Sequence, residues 1–165
     1  MTQNPDRIEK QTVLHAPRER VWQAISEPSR FGHWFGAQFD DSRFSPGSRI
    51  TGTISPTRVD PEIARMQEPY RGTAMDLDVE RVEPMNRLSF RWHPGAPDPD
   101  VDLSQEPTTL VEFALADAPG GTRLTITESG FEQLPPERRA EAYEGNEGGW
   151  QEQLKLIDKY LAQTA

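Results

Sequence analysis

Three histidines are the residues whose side chains could hold a metal ion. His15 ends a predicted strand, His33 lies in a short predicted helix, and His93 starts a loop. Zinc ligands usually recur at short, regular spacings on one or two elements, and these three residues do not. The sequence therefore predicts no metal site.

Glu128 is the residue with the strongest claim to acid–base chemistry. It follows Ile126 by two residues and Leu124 by four, so it should point toward the same face of a strand as those apolar residues. A buried carboxylate can act as a general base. Arg49 could approach from an opposite strand, in which case an internal ion pair is the alternative. A solvated strand end is a further alternative.

Other common catalytic and cofactor-binding signals are missing from the chain. Cysteine is absent, which excludes a thiol nucleophile, a disulfide and a cysteine-based metal centre. The sequence contains no G-x-S-x-G, P-loop or H-E-x-x-H motif. We therefore predict no cofactor and assign no catalytic residue.

The charge of the chain limits its partners. The 165 residues include 27 acidic and 18 basic side chains, giving a formal net charge of −9. Such a surface repels nucleic-acid phosphates and anionic membranes. The first ten residues are polar, and no apolar run is long enough to span a bilayer. We expect a cytoplasmic protein that binds no nucleic acid and does not insert into membranes.

The elements that must position these residues follow a simple order. The patterns predict a strand over residues 7–15, two short helices, a series of further strands and one long C-terminal helix. Pro17 suits the first turn of the first helix, and residues 29–35 form the second. Strand–helix alternation is absent, which excludes a doubly wound parallel sheet. The chain is long enough for one domain, 1–165, with its core over 7–163.

Alternation of apolar and polar residues marks the later strands. A turn at Pro119-Gly120-Gly121 joins the last two as a hairpin. The predicted strands cover residues 49–55, 72–82, 88–92, 108–115 and 123–129.

Two segments rich in proline and charge are predicted as loops. They cover residues 56–69 and 94–107. The second holds almost no large apolar residue, so it should be mobile and should be cleaved early by proteases.

The C-terminal helix carries one apolar stripe, formed by Trp150, Leu154, Ile157 and Leu161. The stripe should face the sheet, with Glu152, Lys155 and Lys159 exposed. A first helical piece over residues 137–144 is predicted to be interrupted around Gly145 and Gly148-Gly149.

An antiparallel sheet that curves around one helix leaves space that side chains need not fill. We therefore predict an α+β helix-grip fold, in which about six strands wrap around the C-terminal helix and two short helices follow the first strand. Aromatic residues should line the interior, with Arg49, Arg91 and Glu128 as the candidate polar groups. The predicted ligand-binding residues are Trp34, Phe35, Arg49, Met75, Leu77, Phe90, Trp92, Phe113, Leu124, Glu128, Trp150 and Leu154.

Several short motifs carry a resemblance to a known family over most of the chain, from residue 8 to residue 161. They are Ala16-Pro17-Arg18-Glu19-Arg20-Val21-Trp22, Trp34-Phe35, Pro46-Gly47-Ser48-Arg49, Val82-Glu83-Pro84, Leu88 to Trp92, Gly121 to Thr127, Ser129-Gly130-Phe131 and Gly148-Gly149-Trp150. In this order they resemble the bacterial homologues of the activator of heat-shock chaperone (Hsp90) ATPase. That family lies in the START-like (SRPBCC) superfamily, which also includes polyketide cyclases and birch-pollen-allergen-like proteins.

The resemblance implies a helix-grip fold with a cavity between the sheet and the final helix. Members of this superfamily bind lipids or polyketides, catalyse cyclisation or act as hormone receptors, so the fold implies no single reaction. Binding of a small apolar molecule is the leading interpretation. A cofactor-free cyclase, dehydratase or hydrolase using Glu128 or a histidine is one alternative, and a regulatory or stress protein is another.

A chaperone-partner domain is also an alternative, because the family is named for that role. The sequence holds a single such domain, without the additional N-terminal module of the eukaryotic activators, which weakens this interpretation. The sequence is also compatible with a homodimer.

Overall fold

The structure, a computed structural model, describes residues 6–41, 43–94 and 106–164. Eight strands, four α-helices and two short 3-10 helices, Glu68–Tyr70 and Phe131–Gln133, lie within these ranges. The first part of the chain forms β1 (Arg7–Leu14), α1 (Arg18–Ser26), α2 (Pro28–Phe35), β2 (Ala37–Phe39), β3 (Arg49–Ile50), β4 (Gly52–Ile54) and α3 (Pro61–Gln67). The second part forms β5 (Leu77–Glu83), β6 (Arg87–Trp92), β7 (Thr109–Ala118), β8 (Gly121–Ser129) and α4 (Pro136–Gln163).

Within the described residues, six strands form an antiparallel sheet in the order β1-β8-β7-β6-β5-β3. A separate small sheet pairs β2 with β4. The long helix α4 covers the concave face of the large sheet, and α1 and α2 follow β1 directly. The helix-grip architecture predicted from the sequence is confirmed.

The β7–β8 hairpin has the longest register in the sheet, running from Leu110 opposite Ser129 to Ala118 opposite Gly121. Pro119 and Gly120 form its turn, and Gly120 has φ +84°, which favours glycine because a Cβ atom is strained there. The hairpin predicted from Pro119-Gly120-Gly121 is confirmed.

The helix α4 is continuous over 28 residues, so the predicted interruption near its glycines is wrong. Gly145, Gly148 and Gly149 are not among the residues with positive φ, and they stay within the helix. Each glycine lowers helix propensity, but tertiary contacts override such local preferences. Here the turn that contains the glycines also holds Asn146 and Trp150, and both bond to the sheet.

The apolar stripe of α4 lies where the sequence predicted. Its four residues, Trp150, Leu154, Ile157 and Leu161, are all at most 4% exposed. Lys155 and Lys159 are exposed, and Glu152 is partly exposed. The stripe therefore closes the core between the helix and the sheet.

The predicted loop over residues 56–69 contains the helix α3, so that prediction is wrong. The Asp60 side chain accepts hydrogen bonds from the backbone N–H groups of Glu62 and Ile63, at 2.9 and 3.2 Å. Pro61 occupies the first helical position, where its missing N–H has no cost. The Asp-Pro-Glu signal was present in the sequence, but the density of prolines around it obscured it.

Two further strand predictions need correction. Residues 49–55 do not form one strand: β3 joins the large sheet and β4 joins the small one. The strand predicted to begin at Gly72 begins at Leu77, and a bulge between Val79 and Arg81 shifts its alternation.

The loop predicted over residues 94–107 lies almost wholly outside the described residues, which resume at residue 106. Among the helices that the structure describes, none is both long and apolar enough to cross a membrane.

Candidate functional site

Strand register assembles a continuous interior face on the large sheet. On β8, Leu124, Ile126 and Glu128 are each fully buried. Glu128 pairs with Val111 of β7, and Val111 in turn pairs with Phe90 of β6. Because side chains two residues apart share a face, Glu128 lies on the same face as Leu124 and Ile126, near the end of β8.

The buried Glu128 carboxylate is the centre of a hydrogen-bond network. Its Oε2 accepts from the Trp92 indole N–H at 2.9 Å and from the Thr109 hydroxyl at 2.6 Å. Its Oε1 accepts from the Trp150 indole N–H at 2.8 Å. The Asn146 amide donates to both oxygens, at 2.9 and 3.0 Å. We call these five residues the Glu128 network.

The four donors of the Glu128 network come from three elements. Trp92 ends β6, Thr109 begins β7, and Asn146 and Trp150 lie one turn apart on α4. All four are uncharged, and an indole N–H can only donate. The carboxylate therefore receives its partners from within the protein, which is what a buried polar group requires. The network joins the sheet to the middle of α4.

Aromatic rings lie beside this network. The Trp92 and Trp150 rings stack with centroids 5.6 Å apart, and Phe35 lies 6.1 and 6.0 Å from them. Phe90 and Phe113 meet this group edge to face, at 5.5 Å from Trp92 and 5.7 Å from Trp150. These separations are those of favourable aromatic pairs. We call Phe35, Trp92 and Trp150 the ring stack; Trp92 is its partly exposed member.

The structure brings most of the predicted ligand-binding residues together. Eleven of the twelve belong to the core or pack against it, namely Trp34, Phe35, Met75, Leu77, Phe90, Trp92, Phe113, Leu124, Glu128, Trp150 and Leu154.

Arg49 lies apart from the other eleven. Its side chain is 61% exposed and pairs with Asp78 at 2.7 Å, so the predicted approach to Glu128 does not occur. This ion pair holds the pKa of Asp78 below its usual value, mainly through the Arg49 hydrogen bond. Arg91 also turns away and bonds to Glu80 at 2.9 Å. A two-residue strand gives too little alternation to fix which face Arg49 occupies.

Sequence reasoning missed Thr109 and Asn146. The spacing of both residues could have identified them. Asn146 precedes Trp150 by four residues on one helix, and Thr109 precedes Val111 by two on one strand, so each shares a face with a buried residue. The predicted break in the helix hid the first relationship.

The histidines do not converge. His15 is exposed after β1, His33 lies on α2, and His93 follows β6, where its Nε2 lies 3.0 Å from the Glu106 carbonyl oxygen. Among the described residues, no group of three or more metal-binding side chains lies close enough to hold an ion.

A surface cavity of about 460 Å³ lies on the outer side of α2, between that helix, β2 and the segment after β4. It is not the cavity that the sequence predicted between the sheet and α4. In the described part of the region between the sheet and α4, the ring stack lies with its aromatic neighbours.

Comparison with solved structures shows the same fold in several bacterial proteins. A protein from Mesorhizobium loti is 25% identical, with a TM-score of 0.70, and the match covers 96% of this chain and 98% of that one. A protein from Arthrobacter aurescens is 18% identical, with a TM-score of 0.72 and coverages of 98% and 90%. DynU16, from the dynemicin biosynthetic locus, is 24% identical, with a TM-score of 0.67. The match covers 95% of this chain and 47% of DynU16.

A search of curated proteins gives no match. The family pattern of the activator of Hsp90 ATPase homolog 1-like proteins matches residues 15–162, which is most of the chain. The START-like resemblance drawn from the sequence motifs is thereby confirmed, and the chain belongs to the family of activator of Hsp90 ATPase homolog 1-like proteins.

Proposed function

We propose that this protein binds a small, largely apolar molecule at the ring stack, between the sheet and α4. The observation that carries the proposal is the fixed indole pair. Trp92 and Trp150 stack on each other while both N–H groups bond to Glu128, and Trp92 keeps part of its surface accessible. Aromatic surface held in one orientation is what apolar ligand sites use, because little ordering is left to occur on binding.

A buried acceptor beside the ring stack supports this proposal. The Gln153 amide nitrogen donates to the Phe35 carbonyl oxygen at 3.1 Å. Its Oε1 is buried and has no donor partner within the described part of the chain. A buried acceptor without a donor is costly, and a ligand hydroxyl or N–H group would remove that cost. The ligand class that fits best is therefore an apolar body with one hydrogen-bond donor.

The test is thermal unfolding in the presence of N-phenyl-1-naphthylamine, a neutral aromatic probe with one N–H group. A ligand that binds only the folded state raises the melting temperature by mass action. We expect a saturable rise for the wild type and a much smaller one for Trp92→Ala. Trp22→Ala, which removes a partly buried tryptophan on α1, is the matched control and should keep the rise. A rise unchanged in Trp92→Ala would contradict the proposed site.

Catalysis by Glu128 is the second candidate, favoured by the burial of that carboxylate on the interior face. Its oxygens already accept from four side chains, which leaves little capacity for a substrate proton. If the site only binds, the negative charge of Glu128 is not needed, and Glu128→Gln, which keeps one carbonyl oxygen as an acceptor, should leave probe binding nearly unchanged. If the wild type hydrolysed or cyclised an ester or polyketide-like substrate and Glu128→Gln abolished that turnover, catalysis would replace binding as the function.

The family name raises a chaperone-partner role as a further alternative. It predicts stimulation of a chaperone ATPase by this chain, which an ATPase assay with and without the protein measures directly.

A further inference from the structure

The surface cavity on the outer side of α2 is separate from the ring stack. One wall is the outward face of α2, with Ser29, Gly32 and His33. A Cβ atom on Gly32 would clash with the Ala37 carbonyl oxygen, so glycine lets β2 approach the helix closely at this wall. The cavity therefore results from a specific close packing of helix and strand.

Strand pairing places the charged lining residues at opposite ends of this cavity. In the β2–β4 pair, Ala37 lies opposite Ile54 and Phe39 lies opposite Gly52. Asp40 continues beyond Phe39 and bonds to Thr51, through its backbone N–H and its side chain. Asp40 and Asp41 therefore mark the Gly52 end of the pair, and both line the cavity.

The other end carries positive charge. The backbone N–H of Ser55 bonds to the Gly36 carbonyl oxygen, and that of Arg58 bonds to the His33 carbonyl oxygen. This places Arg58 beside the C-terminal half of α2, at the Ala37 end of β2. Ala37 and Asp40 are three residues apart in extended chain, or about 10 Å. The two charged ends are therefore separated by roughly the length of a short alkyl chain.

The polar side-chain atoms of Arg58 and His33 are available to a ligand, and the His33 ring also contacts Tyr160, with centroids 5.4 Å apart. Within the described part of the chain, neither the Arg58 guanidinium nor the His33 imidazole has a hydrogen-bond or ion-pair partner. Burial lowers the pKa of His33, and the nearby Arg58 charge lowers it further. At neutral pH the imidazole is therefore uncharged, with one nitrogen that donates and one that accepts.

The lining between the charged ends includes apolar side chains, those of Pro28, Phe39 and Pro56. A volume of about 460 Å³ is within the range of small-molecule sites, roughly 300–1,000 Å³. A cavity with an apolar middle and opposite charges at its ends is complementary to a molecule with an apolar middle and one positive and one negative end.

We propose that this cavity is a second binding site, for a small zwitterion whose charges are separated by an alkyl or peptide chain. The anionic group of the ligand faces Arg58 and His33, and its ammonium group faces Asp40 and Asp41. A bidentate guanidinium–carboxylate contact fixes one end, and the chain of the ligand packs on Phe39. This second site is independent of the ring stack. A zwitterion can bind to it whether or not an apolar ligand is bound at the ring stack.

The experiment is a titration of the full chain, followed by amide chemical shifts. The probe is 6-aminohexanoate, with hexanoate, hexylamine and glycine as matched ligands that lack one charge or the separating chain. We expect saturable shifts at Gly32, His33, Gln38 and Phe39 with 6-aminohexanoate. Each matched ligand should bind at least about fivefold more weakly, because each loses one charged contact or the apolar one.

Two variants test the charged ends. Arg58→Gln should weaken binding of 6-aminohexanoate about fivefold or more, while Arg65→Gln, an exposed arginine on α3, should change it less than about twofold. Asp40→Asn keeps an oxygen that can accept from Thr51 but removes the charge, and it should also weaken binding. Asp76→Asn, another exposed aspartate, is its control.

Four outcomes would overturn the proposal. The first is hexanoate or hexylamine binding as tightly as 6-aminohexanoate, and the second is an equal effect of Arg58→Gln and Arg65→Gln. The third is shifts confined to the ring stack, and the fourth is the absence of saturable binding by any of the four ligands.

Discussion

The two faces of α2 border two different environments. On the inner face, Phe31, Trp34 and Phe35 are buried in the aromatic core, and the Trp34 indole N–H bonds to the Ala24 carbonyl oxygen at 2.9 Å. On the outer face, Ser29 and His33 line the surface cavity. The inner face of this eight-residue helix therefore packs against uncharged residues. The outer face borders a cavity whose lining includes charged residues.

This difference predicts that changes in the two environments have different effects on stability. The interior polar group, Glu128, has its partners supplied by the protein, so changes there should destabilise the fold. The charged groups of the surface cavity have little to do with folding, since exposed charges contribute little to stability. The predictions below test this contrast.

Removal of Trp150 should have the largest effect. It deletes a fully buried ring from the ring stack and one donor to Glu128. We expect Trp150→Ala to lower the free energy of unfolding by about 3–5 kcal/mol. Denaturant unfolding measures this, and Ser29→Ala in the surface cavity is the control. A loss below about 1 kcal/mol would mean that the interior is not packed as described.

Removal of the Glu128 carboxylate should have the next largest effect. Glu128→Ala leaves two indole N–H groups, a hydroxyl and an amide without their acceptor. Because each buried unsatisfied group costs about 1–3 kcal/mol, we expect a loss of about 3 kcal/mol or more. Glu128→Gln keeps one carbonyl oxygen and should lose about 1–3 kcal/mol in the same assay. Equal stability of the Ala and Gln variants would contradict the role given to the network.

The glycines of α4 should give a smaller effect of opposite sign. Gly148 and Gly149 are exposed within the helix, and a Cβ atom at either position would meet open space. Each change to Ala should raise the free energy of unfolding by about 0.5–1 kcal/mol, because alanine loses less backbone entropy on folding. Thermal unfolding of the single variants measures this. A destabilised Gly149→Ala would show that α4 bends or breaks there, as the sequence had predicted.

The smallest effect on stability should come from the surface cavity. Arg58 is exposed and makes no ion pair among the described residues. Arg58→Gln should therefore change the free energy of unfolding by less than about 0.5 kcal/mol, even though it weakens ligand binding. A larger loss in chemical denaturation would place Arg58 in the structural core rather than in a binding site.

The sequence predicted the parts of the fold whose patterns are long. The stripe from Trp150 to Leu161 spans three turns, and the alternation in β7 and β8 spans whole strands, so neither depends on a single residue. It also placed Glu128 correctly, because that residue continues the alternation of Leu124 and Ile126.

The parts that the sequence did not predict depend on contacts between distant residues. The partners of Glu128 lie 18 to 36 positions away, on other strands and on α4. The outward direction of Arg49 follows from its pairing with Asp78, 29 positions away. Local periodicity carries no information about such pairs, and the cavity beside α2 likewise depends on the close approach of Gly32 to Ala37.

The most direct test of the proposed function uses the indole N–H signals of the protein. Trp92 and Trp150 report on the ring stack, while Trp22, on α1, is the internal control. During titration with N-phenyl-1-naphthylamine, we predict saturable shifts of the Trp92 and Trp150 signals, with the Trp22 signal nearly unchanged. Saturable binding that leaves the Trp92 and Trp150 signals in place, or no binding at all, would contradict the account.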